Sequence, residues 1–291
     1  MKKMSWPALF SAGFCAGALI VIGVGARAEQ LPMEPAHNSG QSITGAYEGW
    51  FKNADGTFSL LFGYYNRNLK QEMDIPVGPE NRIEPGGPDR GQPTHFLPNR
   101  QWGMFTITAP ANFGKEKLTW TLVANGQAMV IPGSLDPLWE LSPFVEASGN
   151  TPPFIGFAEK GPFGQGPRPI STTLQANVGE PLPLSVWAAD DNKQPPITPR
   201  FKLPPVFLTW SKFRGPGTVT FSKERPPVEV TEFEAPPNTV FHGKATTTAT
   251  FSDPGDYTLL VTANDSSGPG GGGFQCCWTN AQVKVTVRPK P

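Results

Sequence analysis

From Ile170 onward the chain breaks into seven short runs rich in Val, Thr, Leu and Phe: STTLQANV, PLPLSVWAAD, FLTWSKF, GTVTFSK, TTTATFS, YTLLVTAND and QVKVTV. Gly, Pro, Asn and Asp punctuate the gaps between them. β-branched and aromatic runs of this length, bounded by turn residues, read as strands. Seven of them across roughly 120 residues is the spacing of a β-sandwich. The same punctuation covers the whole chain, with 32 glycines and 34 prolines among 291 residues and no collagen period. Aromatic residues at 11% argue against disorder. The chain therefore reads as all-β.

The first half carries its own strand signals. In GAYEGWFKNADGTFSLLFGYYNRN (residues 45–68), Tyr47 to Lys52 and Thr57 to Tyr65 are strand-like, and Asn53-Ala54-Asp55-Gly56 between them predicts a hairpin turn. GMFTITAP (103–110) and KLTWTLVANG (117–126) follow, the second with Leu118, Trp120 and Leu122 alternating against Thr119, Thr121 and Val123. Between these strands, residues 75–101 hold Pro76, Pro79, Pro85, Pro88 and Pro93, so the segment cannot be a central strand. Two readings stand: a loop that binds something, or a proline-stiffened cover over an open sheet edge. The domain plan is a flexible leader at 29–40, a β-sandwich-like domain at 41–145, a Pro/Gly linker at 146–169 and a second sandwich at 170–288. The three phenylalanines of the linker imply that it packs on something.

Residues 1–28 read as a secretory signal peptide. Lys2 and Lys3 precede an apolar stretch from about Trp6 to Val24, and Ala26-Arg27-Ala28 supplies the small-x-small cleavage pattern. The alternative is an uncleaved anchor, because the stretch just reaches bilayer-spanning length. The leader takes Lys2, Lys3 and Arg27 from the 24 basic residues and none of the 24 acidic ones. The exported chain is then slightly acidic, which excludes a nucleic-acid partner. Localisation is expected to be periplasmic or extracellular.

Three landmarks of the second half resemble the immunoglobulin-like and PKD-like sandwich domains of secreted bacterial proteins. Asp253-Pro254-Gly255-Asp256-Tyr257 matches the D-x-G-x-Y pattern before strand F, Trp210 sits where strand C carries its buried tryptophan, and VGEPLPLSVWAADD is similar to a strand A to strand B segment. The resemblance implies that the Tyr257 hydroxyl ties the E–F corner to the backbone. The B–F disulfide of antibody domains is absent, since Leu259 holds the strand F position and LPLSVW has no Cys. The first half resembles uncharacterised secreted bacterial proteins with no established activity.

If that assignment holds, NDSSGPGGGGFQCCWTN is a long F–G loop, and Ala189-Asp190-Asp191-Asn192 opens the B–C loop at the same end of the sandwich. Phe274, Cys276, Cys277 and Trp278 then form a candidate binding tip, or Phe274 and Trp278 fold back over the core. For the adjacent cysteines the order of readings is a vicinal disulfide in a tight turn, two unpaired thiols, and a metal site. Asp190, Asp191 and Asp265 offer hard oxygen ligands for a possible calcium ion. A second candidate contact is Asp89, Arg90 and His95 in the long first-domain loop.

Catalytic signals are thin. No G-x-S-x-G, H-E-x-x-H or phosphate-binding glycine motif occurs. A pair such as Glu48 with Glu84 can be drawn in any sequence. The reading is an exported, non-catalytic binding or assembly protein of the periplasm or cell surface that contacts a protein or glycan through the B–C/F–G loop end of the second domain. The alternative is a secreted hydrolase of polysaccharide, with the second domain as its accessory module. An enzyme needs a cleft that gathers His95 with a carboxylate.

Overall fold

The turn Asn53–Gly56 joins β1 (Ile43–Lys52) to β2 (Phe58–Asn66) as an antiparallel hairpin in the computed structural model of the chain. Residues 37–146, 149–193, 204–265, 267 and 277–290 are described. The expected signal peptide, the leader up to residue 36, Phe274 and Cys276 lie outside the described residues. Gly56 takes φ +84°, a left-handed conformation that would cost a residue with a Cβ about 1–2 kcal/mol. Asp55 holds the turn by accepting from Thr57 N and Oγ1 at 3.0 and 2.6 Å. Residues 37–40 are fastened to the chain beyond β2, with Leu69 N donating to His37 O at 2.9 Å and Gly40 N to Gln71 Oε1 at 2.7 Å.

The proline-rich segment contributes β3 (Met73–Asp74), β4 (Asn81–Glu84) and β5 (His95–Phe96), all short. The chain then runs through β6 (Asn99–Ala109), β7 (Lys117–Ala124) and β8 (Gln127–Ser134). Two three-stranded sheets result, β1–β2–β6 and β4–β7–β8, with β3–β5 as a small ribbon. β4 lies along one edge of β7 and its prolines flank the ladder, which is the covering role for that segment. Asn125 and Gly126 both take positive φ, +49° and +74°, to make the tight turn into β8. The core between the sheets is aromatic. Trp120 is fully buried and meets Phe105 edge-on at 5.1 Å, while Phe62 stacks on Phe105 at 5.3 Å. The Trp120 indole N–H donates to Asn81 Oδ1 at 3.0 Å, so its polar handle is not stranded.

The 146–169 segment contains a hairpin of β9 (Phe154–Gly156) and β10 (Phe163–Gln165). All seven runs of the second half are strands: β11 (Ile170–Asn177), β12 (Leu182–Asp190), β13 (Val206–Arg214), β14 (Val219–Phe221), then, after a two-residue β15 (Glu229–Val230), β16 (Phe241–Phe251), β17 (Gly255–Asp265) and β18 (Trp278–Arg288). One sheet runs β10–β9–β12–β16–β14, with β15 also on β16; the other runs β11–β18–β17–β13, with β11 parallel to β18. These are the B–E–D and G–F–C arrangements of an immunoglobulin-like sandwich. The core between them is mostly aliphatic, with Trp210 buried on β13 and Leu259 on β17. The Tyr257 hydroxyl donates to Asp253 O at 2.9 Å and accepts from Gly217 N at 3.0 Å, closing the corner before β17.

The two halves share packing. Phe213 and Leu260, from β13 and β17, are buried within the aromatic core of the first half. Thr94 N donates to Phe213 O at 3.2 Å, and Lys212 Nζ pairs with Asp74 at 3.0 Å. Among the described residues no helix is long and apolar enough to cross a membrane.

Candidate functional site

Alternation along a strand sends Leu208 and Trp210 into the sandwich core, so Phe207, Thr209 and Ser211 stand on the outer face of β13. Cross-strand register sets Asn264, Thr262 and Leu260 of β17 opposite them, and Trp278, Asn280 and Gln282 of β18 beyond. The outer face is thus a grid of hydroxyl and amide side chains with aromatic groups along one row. Thr262 Oγ1 donates to Asn280 Oδ1 at 2.8 Å, which ties two columns together. Leu260 closes the far side, where the first half sits on the sheet.

The facing wall is the stretch from Leu97 to Met104, mostly the start of β6. A buried carboxylate holds it. Glu48, 6% exposed, pairs through Oε1 with Arg100 Nη2 at 2.5 Å and accepts from Gly103 N through Oε2 at 2.7 Å. Arg100 also donates to the carbonyls of Tyr64 and Gln101 at 2.9 and 2.7 Å, and its guanidinium lies 3.9 Å above the Trp102 ring centroid. Burial pushes the Glu48 carboxyl above its ordinary value, while Arg100 and the Gly103 N–H pull it back down. Gly103 has φ +54°, and a Cβ there would fall 2.4 Å from Cζ2 of Trp278. The absence of a side chain lets the indole lie flat against the β6 backbone. Asn280 Nδ2 donates to Gly103 O at 2.6 Å from the other side.

Floor and wall enclose a cleft of about 540 Å³ between the two halves, within the range of ligand-sized sites. Arg100 and Arg225 are its cations, and among the described residues that line it there is no carboxylate, histidine or cysteine. Arg100 is neutralised from behind by Glu48. Arg225 is exposed and forms no ion pair among the described residues. Phe207, on the floor, is 37% exposed. Such a surface offers stacking, hydroxyl and amide hydrogen bonds, and one uncommitted positive charge. It offers neither a nucleophile–base pair nor an acid–base pair.

The residues singled out in the sequence fall in three places. Trp278 lines the cleft, 3% exposed, with its Nε1 buried and unbonded. Asp89, Arg90 and His95 do not line it; they fasten the proline-rich segment. Asp89 grips Arg214 with both oxygens at 2.8 and 3.0 Å, which holds its carboxyl below the ordinary value. Arg90 donates to Pro85 O at 2.9 Å and Thr108 O at 3.3 Å. His95 is buried, with Nδ1 2.9 Å from Asp74 Oδ1 and Nε2 3.1 Å from Glu72 Oε2. Both ring nitrogens face carboxylates, which tie the buried ring into the β3–β5 ribbon. Glu84, drawn earlier as a partner for Glu48, pairs instead with Arg82 at 3.0 Å.

Asp190, Asp191, Asp265 and Cys277 gather at the B–C/F–G end. Asp265 accepts from Asn150 Nδ2 at 2.5 Å and from Ser267 N at 2.8 Å, and Asp190 Oδ2 accepts from Asn192 N at 2.7 Å. Asp191 accepts from Thr151 Oγ1 at 2.9 Å, with Lys193 Nζ 3.6 Å away. Cys277 is buried at φ +80°, and its Sγ accepts from Asn150 Nδ2 at 3.1 Å. Asp190 Oδ1 is buried with no hydrogen-bond partner among the described residues. Burial, reinforced by the charges of Asp265 and Asp191, pushes the Asp190 carboxyl up to about 7, against the pull of the Asn192 N–H; burial raises Asp265 as well. Among the described residues no group of three or more His, Cys, Asp or Glu is placed to hold a metal ion.

Arg100 stands in the sequence beside Asp89, Arg90 and His95 as a charged cluster of the long first-domain loop, whereas Trp102, Phe207, Thr209, Arg225 and Thr262 carry no site signal there. The usable signal was RQWGM at 100–104, where an arginine, an amide and a tryptophan open a strand that then turns apolar. Neither a protein-family model nor a curated protein matches the chain. Similar solved structures include the D00–D0 domain of intimin, at 13% identity and TM-score 0.26, covering 84% of this chain and 99% of that one. Domains 4 and 5 of the S-layer protein SbsC align at 11% identity and TM-score 0.23, over 85% of this chain and 98% of that one. A family 123 glycoside hydrolase from Clostridium perfringens aligns at 10% identity and TM-score 0.23, over 42% of this chain and 24% of its own. At these scores none of the three bears on what the cleft binds.

Proposed function

We propose that this chain is an exported, non-catalytic binding protein of the periplasm or cell surface that takes its ligand in the cleft between its two halves. The observation that carries the reading is the lining itself. About 540 Å³ is walled by hydroxyls, amides, aromatic rings and two arginines, with no carboxylate, histidine or cysteine among the described lining residues to serve as a general acid or base at neutral pH. Export rests on the leader pattern of residues 1–28. Of the candidate tip residues Phe274, Cys276, Cys277 and Trp278, the reading draws on Trp278, which lines the cleft.

The test is calorimetric titration of the exported protein with a panel of soluble glycans and peptides, alongside Thr209→Trp, which fills the cleft floor. The reading expects a ligand whose binding Thr209→Trp abolishes while thermal stability stays put, and no cleavage of that ligand during incubation. Turnover of a bound ligand, or binding indifferent to Thr209→Trp, would overturn it.

A further inference from the structure

We infer that the ligand of this cleft is an acidic saccharide, several rings long, whose carboxylate or sulfate is read by Arg225; this rests on the cleft being the binding site.

Three features select this chemistry. The floor is the outer face of a sheet, so it presents side chains; β13 is that sheet's edge strand, and on its outer side Trp210 N already donates to Glu224 O at 2.8 Å. A peptide adding itself as a strand would need the edge. What the face does present is a two-dimensional array of short polar groups, Thr209 beside Thr262 and Asn264 beside Phe207. Hydroxyls and amides that both donate and accept suit a ligand with many hydroxyls. The second feature is the aromatic border. Phe207 keeps over a third of its surface open, and Trp102 is half-buried on the facing wall, so apolar ring faces flank the polar floor. Arg100 already covers one face of Trp102 and is bonded to Glu48, Tyr64 and Gln101, so it shapes the wall with its charge answered by Glu48.

The third feature is charge. With Arg100 cancelled by Glu48, the cleft retains one positive charge, on Arg225. Its neighbour Glu224 is exposed but does not line the cleft; its carbonyl accepts from Trp210 N at 2.8 Å. A guanidinium at the mouth of a neutral polar cleft discriminates a ligand that carries an acid from one that does not, and its planar fork fits carboxylate and sulfate alike.

Three four-ring probes decide the point by titration calorimetry: a galacturonate oligosaccharide, a sulfated galactan oligosaccharide, and the neutral galactan oligosaccharide of equal length. One or both acidic probes should bind at least about tenfold more tightly than the neutral one. Arg225→Ala should bring the acidic probe down to the neutral level, and Thr209→Trp should abolish both. Leu138→Ser, on an exposed turn outside the cleft, should change nothing. Which acidic probe wins separates carboxylate from sulfate. Equal binding of acidic and neutral probes, or an Arg225→Ala variant with unchanged preference, overturns the acidic assignment. If no saccharide binds while a peptide from the panel does so in a Thr209→Trp-sensitive way, the saccharide inference fails and the cleft reading survives. If bound saccharide ignores both Thr209→Trp and Phe207→Ala, the cleft reading itself fails.

Discussion

Two buried carboxylate sites, at Glu48 and at Asp190 with Asp265, solve the same problem in opposite ways. Glu48 is taken out of water against a guanidinium and a backbone N–H, so its charge is answered on both oxygens. Asp190 and Asp265 share one end of the sandwich, answered by amide, hydroxyl and backbone donors, with one Asp190 oxygen unbonded. Burying a charge costs several kcal/mol unless it is paired. At the first site the Arg100 guanidinium and the Gly103 N–H pull the carboxyl back against burial, and the pair holds the wall of the cleft. At the second the neighbouring carboxylates add to burial and push Asp190 up to about 7, so its protonation changes near neutral pH.

The sharpest way to break that contrast is to remove one partner of the pair. Arg100→Met leaves Glu48 buried without its guanidinium and should cost about 3–5 kcal/mol in chemical denaturation. The double variant Glu48→Met/Arg100→Met should recover much of that loss, because no uncompensated charge remains. A cost below about 1 kcal/mol for Arg100→Met would place the pair among ordinary surface ion pairs and remove it as the support of the wall.

The acid end should show itself in the pH dependence of stability. The Asp190 carboxyl is raised from 3.8 to about 7 on folding, so between those values the folded chain holds more protons than the unfolded one. Stability then falls as pH rises through that window. At about 1.36 kcal/mol per pH unit, the loss attributable to Asp190 is at most of order 4 kcal/mol by pH 8. Asp265 and Glu48, both raised by burial, add in the same direction; Asp89, lowered by Arg214, acts only below the ordinary carboxylate range and leaves this window untouched. Asp190→Asn should flatten the slope and be more stable than the parent at pH 8. A parent whose melting temperature is level from pH 4 to 8 would show that this end is not protonated at all.

Smaller effects sharpen the picture. Asp74→Asn removes a half-exposed carboxylate from Lys212 and His95 at the junction of the halves, and should cost about 0.2–1 kcal/mol. Calcium at millimolar concentration should leave the melting temperature within about one degree, since among the described residues no group of three or more His, Cys, Asp or Glu is placed to hold a metal ion. A rise of several degrees would mean that a cation answers the second site as Arg100 answers the first.

What could be read from the sequence follows from how local each signal is. The strands of the second half are legible because alternation and turn residues declare each of them within a few positions, and Asp253–Tyr257 announces its corner the same way. The Asn125-Gly126 turn carried an equally local hairpin signal, and β8 was missed because Pro132 and Gly133 interrupt its pattern. The cleft is different in kind. Thr209, Thr262 and Asn264 are ordinary outward-facing polar residues until β6 is laid over them, and Glu48 meets Arg100 across 52 positions of sequence. The gathering of Asp190, Asp191 and Asp265 could be anticipated because the B–C and F–G loops share an end in any such sandwich. That one half would cover the sheet face of the other had no local mark.

The most direct test is a crystal structure of the protein soaked with the acidic four-ring saccharide that binds best. The account predicts sugar rings over Thr209 and Thr262, between Phe207 and the Trp102 wall, with the acid within about 3 Å of the Arg225 guanidinium. Saccharide found instead at the exposed Leu138–Trp139 turn or at the B–C/F–G end, with the cleft holding only water, would contradict it.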